Sequence, residues 1–437
     1  MNKTFTAKIT RMGHDGSALA ELEGNQVHIH GMLPGEEGVV DATRKNKVYQ
    51  GVLKELTKAS PSRKTPEELH YLSCSPWQVM EYPLQAELKH DVISELFGYY
   101  ADAPKSGFTP AAQFYGYRTK VEFSFCDRDG EMEIPLSLAF HERGGGVRRL
   151  PLPKGCALVS DAMNAAALAI VEKLKAEGYV ARDLKTLVIR ESKSEGQLLA
   201  ILYAKREEIN EFSVADIPGL TGFLVFHSTE KSPASVATRS LWVWGEEYLT
   251  EVMDLPAQAG GISIRYSWDS FFQNNIPVFL EAVKMMKQHL PKDAQVLELY
   301  SGAGTVGLLL AGSAAKIHAV EIVAQAVESA NMNAKINGVE NYTAECLPAE
   351  KIDSELLAQY DTLVLDPPRV GLHPKLIKDI ASHPPKRIIY LSCNPETQAR
   401  DYSELAELYK IDAIAGFDFY PQTPHSESLL ILSLRGE

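Results

Sequence analysis

The sequence predicts an α/β protein: a C-terminal doubly wound, mostly parallel sheet, preceded by a central α+β domain and a small N-terminal β-barrel. Three observations predict it. From about Gly260 onward, short apolar runs alternate with helical patterns. A glycine-rich turn within Glu298-Leu-Tyr-Ser-Gly-Ala-Gly304 follows directly on the strand-like run QVL. The first 57 residues break into short strand-like runs separated by Gly13, Gly16, Gly24, Pro34, Gly35 and Gly38.

Taken in order, residues 1–58 carry the runs FTAKITRM, GSALAEL, NQVHIHGM, EGVVDATR and YQGVLKEL, the strands of the barrel. Residues 59–112 open with a linker at Pro61, Ser62 and Pro66. They continue into a helix on which Leu84, Leu88, Val92 and Leu96 step by four along one face. Residues 113–258 are mostly extended (VEFSFCD, LSLAFHE, TLVIRES, GQLLAILYA, GFLVFHS), with one helix, DAMNAAALAIVEKLKAEG. Residues 259–437 alternate: strand and Gly turn, strand KIHAVEIV, helix AQAVESANMNAKINGV, strand DTLVL, strand RIIYL and a closing strand SLLILSL.

Composition limits the function. Hydrophobic residues at 45% and charged residues at 23% describe a folded globular chain rather than a disordered one. A net charge of −13 argues against coating nucleic acid through bulk charge, but leaves room for a local basic patch. Five scattered cysteines without CxxC spacing, and an N-terminus (MNKTFTAKIT) without an apolar core, suit a cytoplasmic protein. The longest uncharged stretch, 299–315, is rich in Gly, Ser and Ala and reads as a loop plus buried helix. No membrane segment is expected, and a monomer is the default.

Four motifs carry chemistry. In ELYSGAGTVG (Glu298–Gly307), Gly302 and Gly304 let a ligand approach the backbone, and Thr305 opens the helix. Glu321 ends the next strand, where one carboxylate suits the two hydroxyls of a ribose. The glycine spacing is not a full GxGxxG, which favours a nucleoside without diphosphate, such as S-adenosylmethionine. Asp366-Pro-Pro-Arg369 follows DTLVL, placing a carboxylate at a strand's carboxyl end on a stiff loop. Arg369 suits a phosphate or carbonyl contact. Ser392-Cys393-Asn-Pro follows RIIYL and offers a thiol nucleophile. Glu427, in Pro424-His-Ser-Glu427, is a candidate general base.

A thiol beside a methyl donor has a specific use. Carbon 5 of a pyrimidine is too weak a nucleophile until a thiolate adds to carbon 6 and makes it enolate-like. Methylation of a base amino group needs no such thiol. The pairing therefore points to carbon 5 of uracil or cytosine, on a base taken out of its stack.

These motifs resemble the RNA (uracil-5-)-methyltransferase family. The resemblance rests on Phe271-Phe-Gln-Asn-Asn275, the ELYSGAGT loop, Asp366-Pro-Pro-Arg369, Ser392-Cys-Asn-Pro-Glu-Thr-Gln-Ala-Arg-Asp401 and His425-Ser-Glu427, in the family's order. The N-terminal residues resemble a TRAM domain, and YRTKVEFSF is similar to the family's central domain. The resemblance implies a Rossmann-like class I methyltransferase domain, Cys393 as nucleophile and Glu427 as base. It implies S-adenosylmethionine held by Gln273, Tyr300, Glu321 and Asp366, alongside Gly302 and Thr305. Among family members, those with a TRAM domain are the most similar. They imply 23S ribosomal RNA ahead of transfer RNA as substrate. The segment AECLPAE departs from the family's pattern, so adenine contacts by Glu345 or Cys346 are not carried over. A cytosine-C5 or amino-group methyltransferase, or a silent RNA-binding relative, are the alternatives.

Many TRAM-bearing members hold a [4Fe–4S] cluster on four cysteines. Here the stretch HYLSCSPWQVMEYPLQ holds only Cys74, and Cys156 lies near the fourth position. No cluster and no metal are expected. RNA contacts are expected from Arg118 and Lys120, with Tyr115 and Tyr117 nearby to stack bases. Further contacts are expected from Arg143, Arg148, Arg149 and Lys154 around Gly144–Gly146, and from Arg369. The Arg44, Lys45 and Lys47 loop, Arg11 and His14 are weaker candidates.

Overall fold

A computed structural model of the protein describes residues 2–45, 48–100, 103–143, 148–233, 235–255 and 261–436. The C-terminal part is a sheet of seven strands. They are β1 (Ala294–Leu299), β2 (Ala314–Glu321), β3 (Tyr342–Cys346), β4 (Thr362–Leu365), β5 (Arg387–Ser392), β6 (Tyr409–Phe417) and β7 (Glu427–Leu434). Their order is β3-β2-β1-β4-β5-β7-β6, and Gly107–Thr109 adds an eighth strand beside β6. β1 to β5 are parallel, and β7 runs antiparallel between β5 and β6. The order reverses direction between β1 and β4, and a doubly wound sheet binds ligand at that crevice.

Near-continuous apolar strands mark a sheet covered on both faces. Val296 of β1 packs with the helix Ile276–His289 on one face, while Leu297 and Leu299 pack with Leu376 and Ile380 on the other. No helix among the described residues is long and apolar enough to cross a membrane.

The N-terminal residues form a curled six-stranded sheet around Ala7, Ile9, Val27, Ile29, Met32 and Val40. Its long strand, Val48–Lys58, crosses this core at Gly51. A Cβ there would lie 2.6 Å from Val40 and 2.7 Å from Ile29, so a side chain would force the sheet open. The central residues form a seven-stranded sheet with the helix Asp161–Ala176 against one face. Val188, Leu199, Ile201 and Leu224, on its other face, join the core of the C-terminal sheet. A two-stranded ribbon, Tyr248–Met253 with Ile262–Ser267, packs in that same core. The boundary expected at 258/259 falls between its strands, outside the described residues.

The helix Tyr82–Phe97 corrects a sequence expectation. Leu84, Leu88, Val92 and Leu96 are only half-buried. The buried face is one residue on: Gln85, Lys89, Ile93 and Phe97. Polar partners decide the rotation. Lys89 Nζ donates to Asp418 Oδ1 at 2.6 Å and to the Tyr420 carbonyl at 3.0 Å. Tyr82 donates to Asp418 Oδ2 at 2.8 Å, and Gln85 exchanges hydrogen bonds with Gln422 at 2.9 Å. Lys89 and Asp418 have no side-chain exposure.

Removing one partner of such a pair leaves a buried charge uncompensated. Lys89→Ala is expected to destabilise the protein by about 3–5 kcal/mol. Lys89→Met combined with Asp418→Leu should recover most of that loss. Thermal melts of the three proteins check it.

Candidate active site at the carboxyl edge of the sheet

Four loops leave the carboxyl ends of β1, β2, β4 and β5 side by side, and β7 begins next to the fourth. The β1 loop is built for close approach. Tyr300 adopts a left-handed backbone (φ 65°), rare for a bulky residue, between strand and turn. At Gly304 (φ 83°) a Cβ would meet the Tyr342 hydroxyl at 2.8 Å, whereas at Gly302 it would meet nothing within 4 Å. The loop therefore packs tightly below Gly304 and opens to the crevice at Gly302. Thr305 begins the helix that follows.

Glu321, at the end of β2, is held by two backbone amides. Oε2 accepts from Gly302 at 3.0 Å and Oε1 from Val323 at 2.9 Å. A carboxylate has acceptor capacity beyond two bonds, so its outer lone pairs stay open to hydroxyl donors. Ile322 and Val323, just beyond, are exposed apolar side chains at the crevice mouth. Sequence reading passed over them, and their only signal is two β-branched residues directly after the acid. Glu345 pairs instead with His318 at 3.2 Å, and Cys346 is exposed beside the Ile322 carbonyl.

Asp366 follows β4 and receives a long contact from Gln273 Nε2 at 3.5 Å. Gln273 is buried, and its carbonyl accepts from Thr119 at 2.9 Å, which seats the central sheet against the crevice. Burial pushes the Asp366 carboxyl up to about 7. Glu298, inside β1, is also buried. Its Oε1 accepts from Gly307 at 3.0 Å while Oε2 has no partner, and burial raises it from 4.5 to about 8. Sequence reading gave Glu298 no role, although an acid within an otherwise apolar strand is itself a signal.

Cys393 sits half-buried after β5. β7 pairs antiparallel with β5 (Ser392 opposite Ser428), which brings Glu427 to the same end. Glu427 is buried, and Tyr420 donates to its Oε1 at 3.3 Å. Burial raises the Glu427 carboxyl well above the usual range; Asp366 adds to the rise, and Arg369 opposes it. The Cys393 thiol is pushed up to about 12, first by burial, then by Glu427 and Asp366, again against Arg369. Arg369 is exposed and lies 3.3 Å from His425 Nδ1. Tyr420 could not be found from sequence, because only the pairing of β6 with β7 brings it to Glu427.

Cys393 opens into a cleft of about 560 Å³ between three parts of the chain. Arg11, His14 and His28 line it from the barrel, Leu88 and Val92 from the helix, and Arg369, Asn394 and His425 from the edge loops. His14 bridges Glu396 at 2.9 Å and Glu95 at 3.4 Å. Arg11 and His14, the weakest candidates in the sequence, thus share a cleft with the thiol.

The model of the family described as tRNA (uracil-5-)-methyltransferase matches residues 81–435. The chain belongs to this family. As a member it is an RNA (uracil-5-)-methyltransferase. It is 28% identical to an uncharacterized RNA methyltransferase of Lactobacillus johnsonii, over 99% of this chain and 98% of that one. It is also 28% identical to one of Bacteroides thetaiotaomicron, over 97% of this chain and all of that one. Among solved structures it is similar to the Pyrococcus abyssi tRNA (uracil-54, C5)-methyltransferase in complex with S-adenosyl-L-homocysteine. The TM-score is 0.78 at 24% identity, over 98% of this chain and 100% of that one. The likeness is to the whole three-part fold.

In this methyltransferase the other expected RNA contacts do not line the cleft around Cys393, although Arg118 and Arg143 stand close enough to His425 on its wall to help hold that imidazole below its usual range. Arg118 and Lys120 line a second cavity of about 340 Å³. Arg143 donates to the Leu72 carbonyl at 2.7 Å and Arg149 to the Phe125 carbonyl at 2.5 Å. Arg148 pairs with Glu142 at 3.6 Å and Asp129 at 3.9 Å. Gly144–Gly146, Lys47 and the Lys45 side chain lie outside the described residues. Tyr117 is a correction. It is buried and donates to the Pro421 carbonyl at 3.1 Å, so it has no open face on which a base could stack. Tyr115 is half-buried under Lys64.

Glu298 makes a pH dependence testable. From pH 4.5 to about 8 the folded chain keeps a proton that the unfolded chain releases, so its contribution to stability falls as pH rises. Glu298→Gln keeps the acceptor for Gly307 and removes the titration. Melting temperature measured across that window should fall less steeply in the variant, by the equivalent of about 1.4 kcal/mol per pH unit at most.

Proposed function

We propose that this chain methylates carbon 5 of a uridine in RNA with S-adenosylmethionine, through a covalent bond between Cys393 and the base. The observation that carries the reading is the convergence of Cys393, Glu427 and Asp366 at one sheet edge, next to an open glycine loop. The donor set fits the cofactor. Glu321 presents acceptors where a ribose suits, and Gly302 leaves room for a ligand. Buried Glu298 and Glu427 and half-buried Asp366, each raised above its usual range, form a group of acids that a sulfonium cation would relieve. Gln273 and Tyr300 flank that space, and Thr305 opens the helix behind it. When bound, S-adenosylmethionine supplies an electrophilic methyl group for carbon 5.

The chain's own residues do the rest. The Cys393 thiol loses its proton to solvent as the base enters beside Arg369, and the thiolate adds to carbon 6, forming a C–S bond and pushing the electron pair of the double bond toward carbon 5. Glu427, which gives up its own proton when a cation enters the crevice, takes the carbon 5 proton after methylation. The double bond re-forms, the C–S bond breaks, and the thiolate returns. Arg369 favours the charged forms of both groups. Arg11 and Arg369 give the cleft cations that RNA phosphates need.

The barrel does not decide the substrate. The Pyrococcus abyssi protein, named for transfer RNA, aligns over 98% of this chain, so the same three-part plan serves transfer RNA there. The choice between 23S ribosomal and transfer RNA is left to experiment.

5-Fluorouridine transcripts of a 23S ribosomal RNA fragment and of a transfer RNA test both points, because fluorine blocks the last elimination. The protein with S-adenosylmethionine should shift one transcript on a denaturing gel, and Cys393→Ala should abolish the shift. Glu427→Gln should accumulate the adduct with unmodified RNA. No adduct in protein that binds the cofactor would overturn the thiol mechanism.

A cation in the crevice lowers the raised carboxyls, so binding at pH 7 should release protons, of which Asp366 supplies up to about half a proton. Calorimetry in buffers of different ionisation enthalpy reads this. S-adenosylhomocysteine, which is uncharged at sulfur, should release less, and Asp366→Asn should narrow the difference.

A further inference from the structure

A second cluster of chemically capable side chains lies outside the methylation site. Glu68, His70 and Cys74 come from the segment before the helix Tyr82–Phe97, and Cys156 from the loop before the helix Asp161–Ala176. One donor atom from each lies within 4.8 Å of every other. We propose that these four residues bind a single divalent transition-metal ion, Zn²⁺ by their chemistry, in a closed tetrahedral site.

The donor set separates this from the cluster associated with TRAM-bearing relatives. A four-iron cluster takes four thiolates. Here two thiolates stand with an imidazole and a carboxylate, and a cube of irons would need its ligand sulfurs further apart than this group sits. Two sulfurs, one nitrogen and one oxygen are donors that zinc accepts. Zinc bonds of about 2.0–2.3 Å place tetrahedral ligand atoms about 3.3–3.8 Å apart. Glu68 Oε1 and His70 Nε2 are 3.1 Å apart, and Glu68 Oε2 and Cys74 Sγ 3.9 Å. The site closes around an ion with small side-chain rotations.

His70 supplies an independent observation. Its ring is about nine-tenths buried, yet Nε2 makes no hydrogen bond although Glu68 Oε1 is close. A buried orphan nitrogen otherwise costs stability.

The surroundings orient the ligands as a metal's outer partners do. Ala157 N donates to Glu68 Oε1 at 2.6 Å and Gln78 Nε2 to Oε2 at 3.0 Å. The Cys156 backbone is held on both sides by the Asn164 amide, at 2.9 and 3.0 Å. Cys74 and Cys156 line the 340 Å³ cavity, which gives an ion a way in. Arg118, on the same cavity, offsets the charge left when two thiolates and a carboxylate hold a dication.

Four protein ligands leave no open position, so the ion is structural. It staples the segment that leads into Trp77 to the central sheet. Trp77 Nε1 in turn donates to the Gly16 carbonyl of the barrel at 3.0 Å.

The test uses the full chain, purified from zinc-supplemented medium and dialysed. Elemental analysis should find one zinc per chain. Co²⁺ in its place should give the intense visible bands and thiolate charge transfer of tetrahedral sulfur coordination. Cys156→Ser and His70→Ala should lower metal affinity by about tenfold or more, while Cys346→Ser leaves it unchanged. Glu68→Gln, the mildest change, should weaken Co²⁺ binding in protein whose circular dichroism is unaltered, which separates ligand loss from misfolding. A strong chelator should lower the melting temperature of the parent protein but not of Cys156→Ser. Four irons with labile sulfide, zinc content indifferent to these variants, or Co²⁺ bound without thiolate bands would each overturn the proposal.

Discussion

The buried pair of Lys89 and Asp418 is the constraint through which the three parts of this chain meet. Asp418 follows β6 and Lys89 lies mid-helix, so their contact clamps the linker helix onto the loop that leads into β7. Glu427 starts β7. Trp77 lies beside Lys89, its ring 5.6 Å from the ammonium, and reaches the barrel through Gly16. A charge pair taken out of water is weak evidence for stability but a strong requirement for register. Here the register sets where the barrel stands relative to the thiol. The cleft around Cys393 exists because barrel, helix and edge loops are held at that spacing.

The second organising fact is electrostatic. Acids accumulate where the strands end. Low exposure, with neighbouring acids adding at Glu298 and Glu427, raises Asp366, Glu298 and Glu427. Such a group is costly while empty and comfortable around a cation. The chain is acidic overall, and residues 291–437 carry 20 acids against 12 Lys and Arg. Its cations are placed rather than numerous. Arg369 stands by the thiol, and Arg11 stands across the cleft.

How much was legible in the sequence is clearest residue by residue. The strand-turn-helix grammar placed Gly302, Thr305, Glu321, Asp366 and Cys393 at carboxyl ends of strands, because in a parallel sheet the loop after a strand has one place to go. The helix Tyr82–Phe97 was found, but its buried face was not. A hydrophobic stripe reports rotation only when apolar burial decides it, and here Asp418 and Gln422 do, from over 300 residues away. Tyr117 looked like a stacking surface and is instead buried against the Pro421 carbonyl. Glu68 and His70 were invisible as donors because nothing local joins them to Cys156.

The sequence by itself determined the fold class, the carboxyl-edge loops and the family's thiol, since periodicity and strand-end motifs act over a few residues. Only the tertiary structure decided what those loops face. The cleft joins Arg11 and His14 to Cys393, β7 delivers Glu427, and the Glu68, His70, Cys74 and Cys156 group assembles from two segments. Each depends on side chains far apart in the chain being held within a few ångströms. Burial and charge pairing set that distance, and neither is written in local spacing.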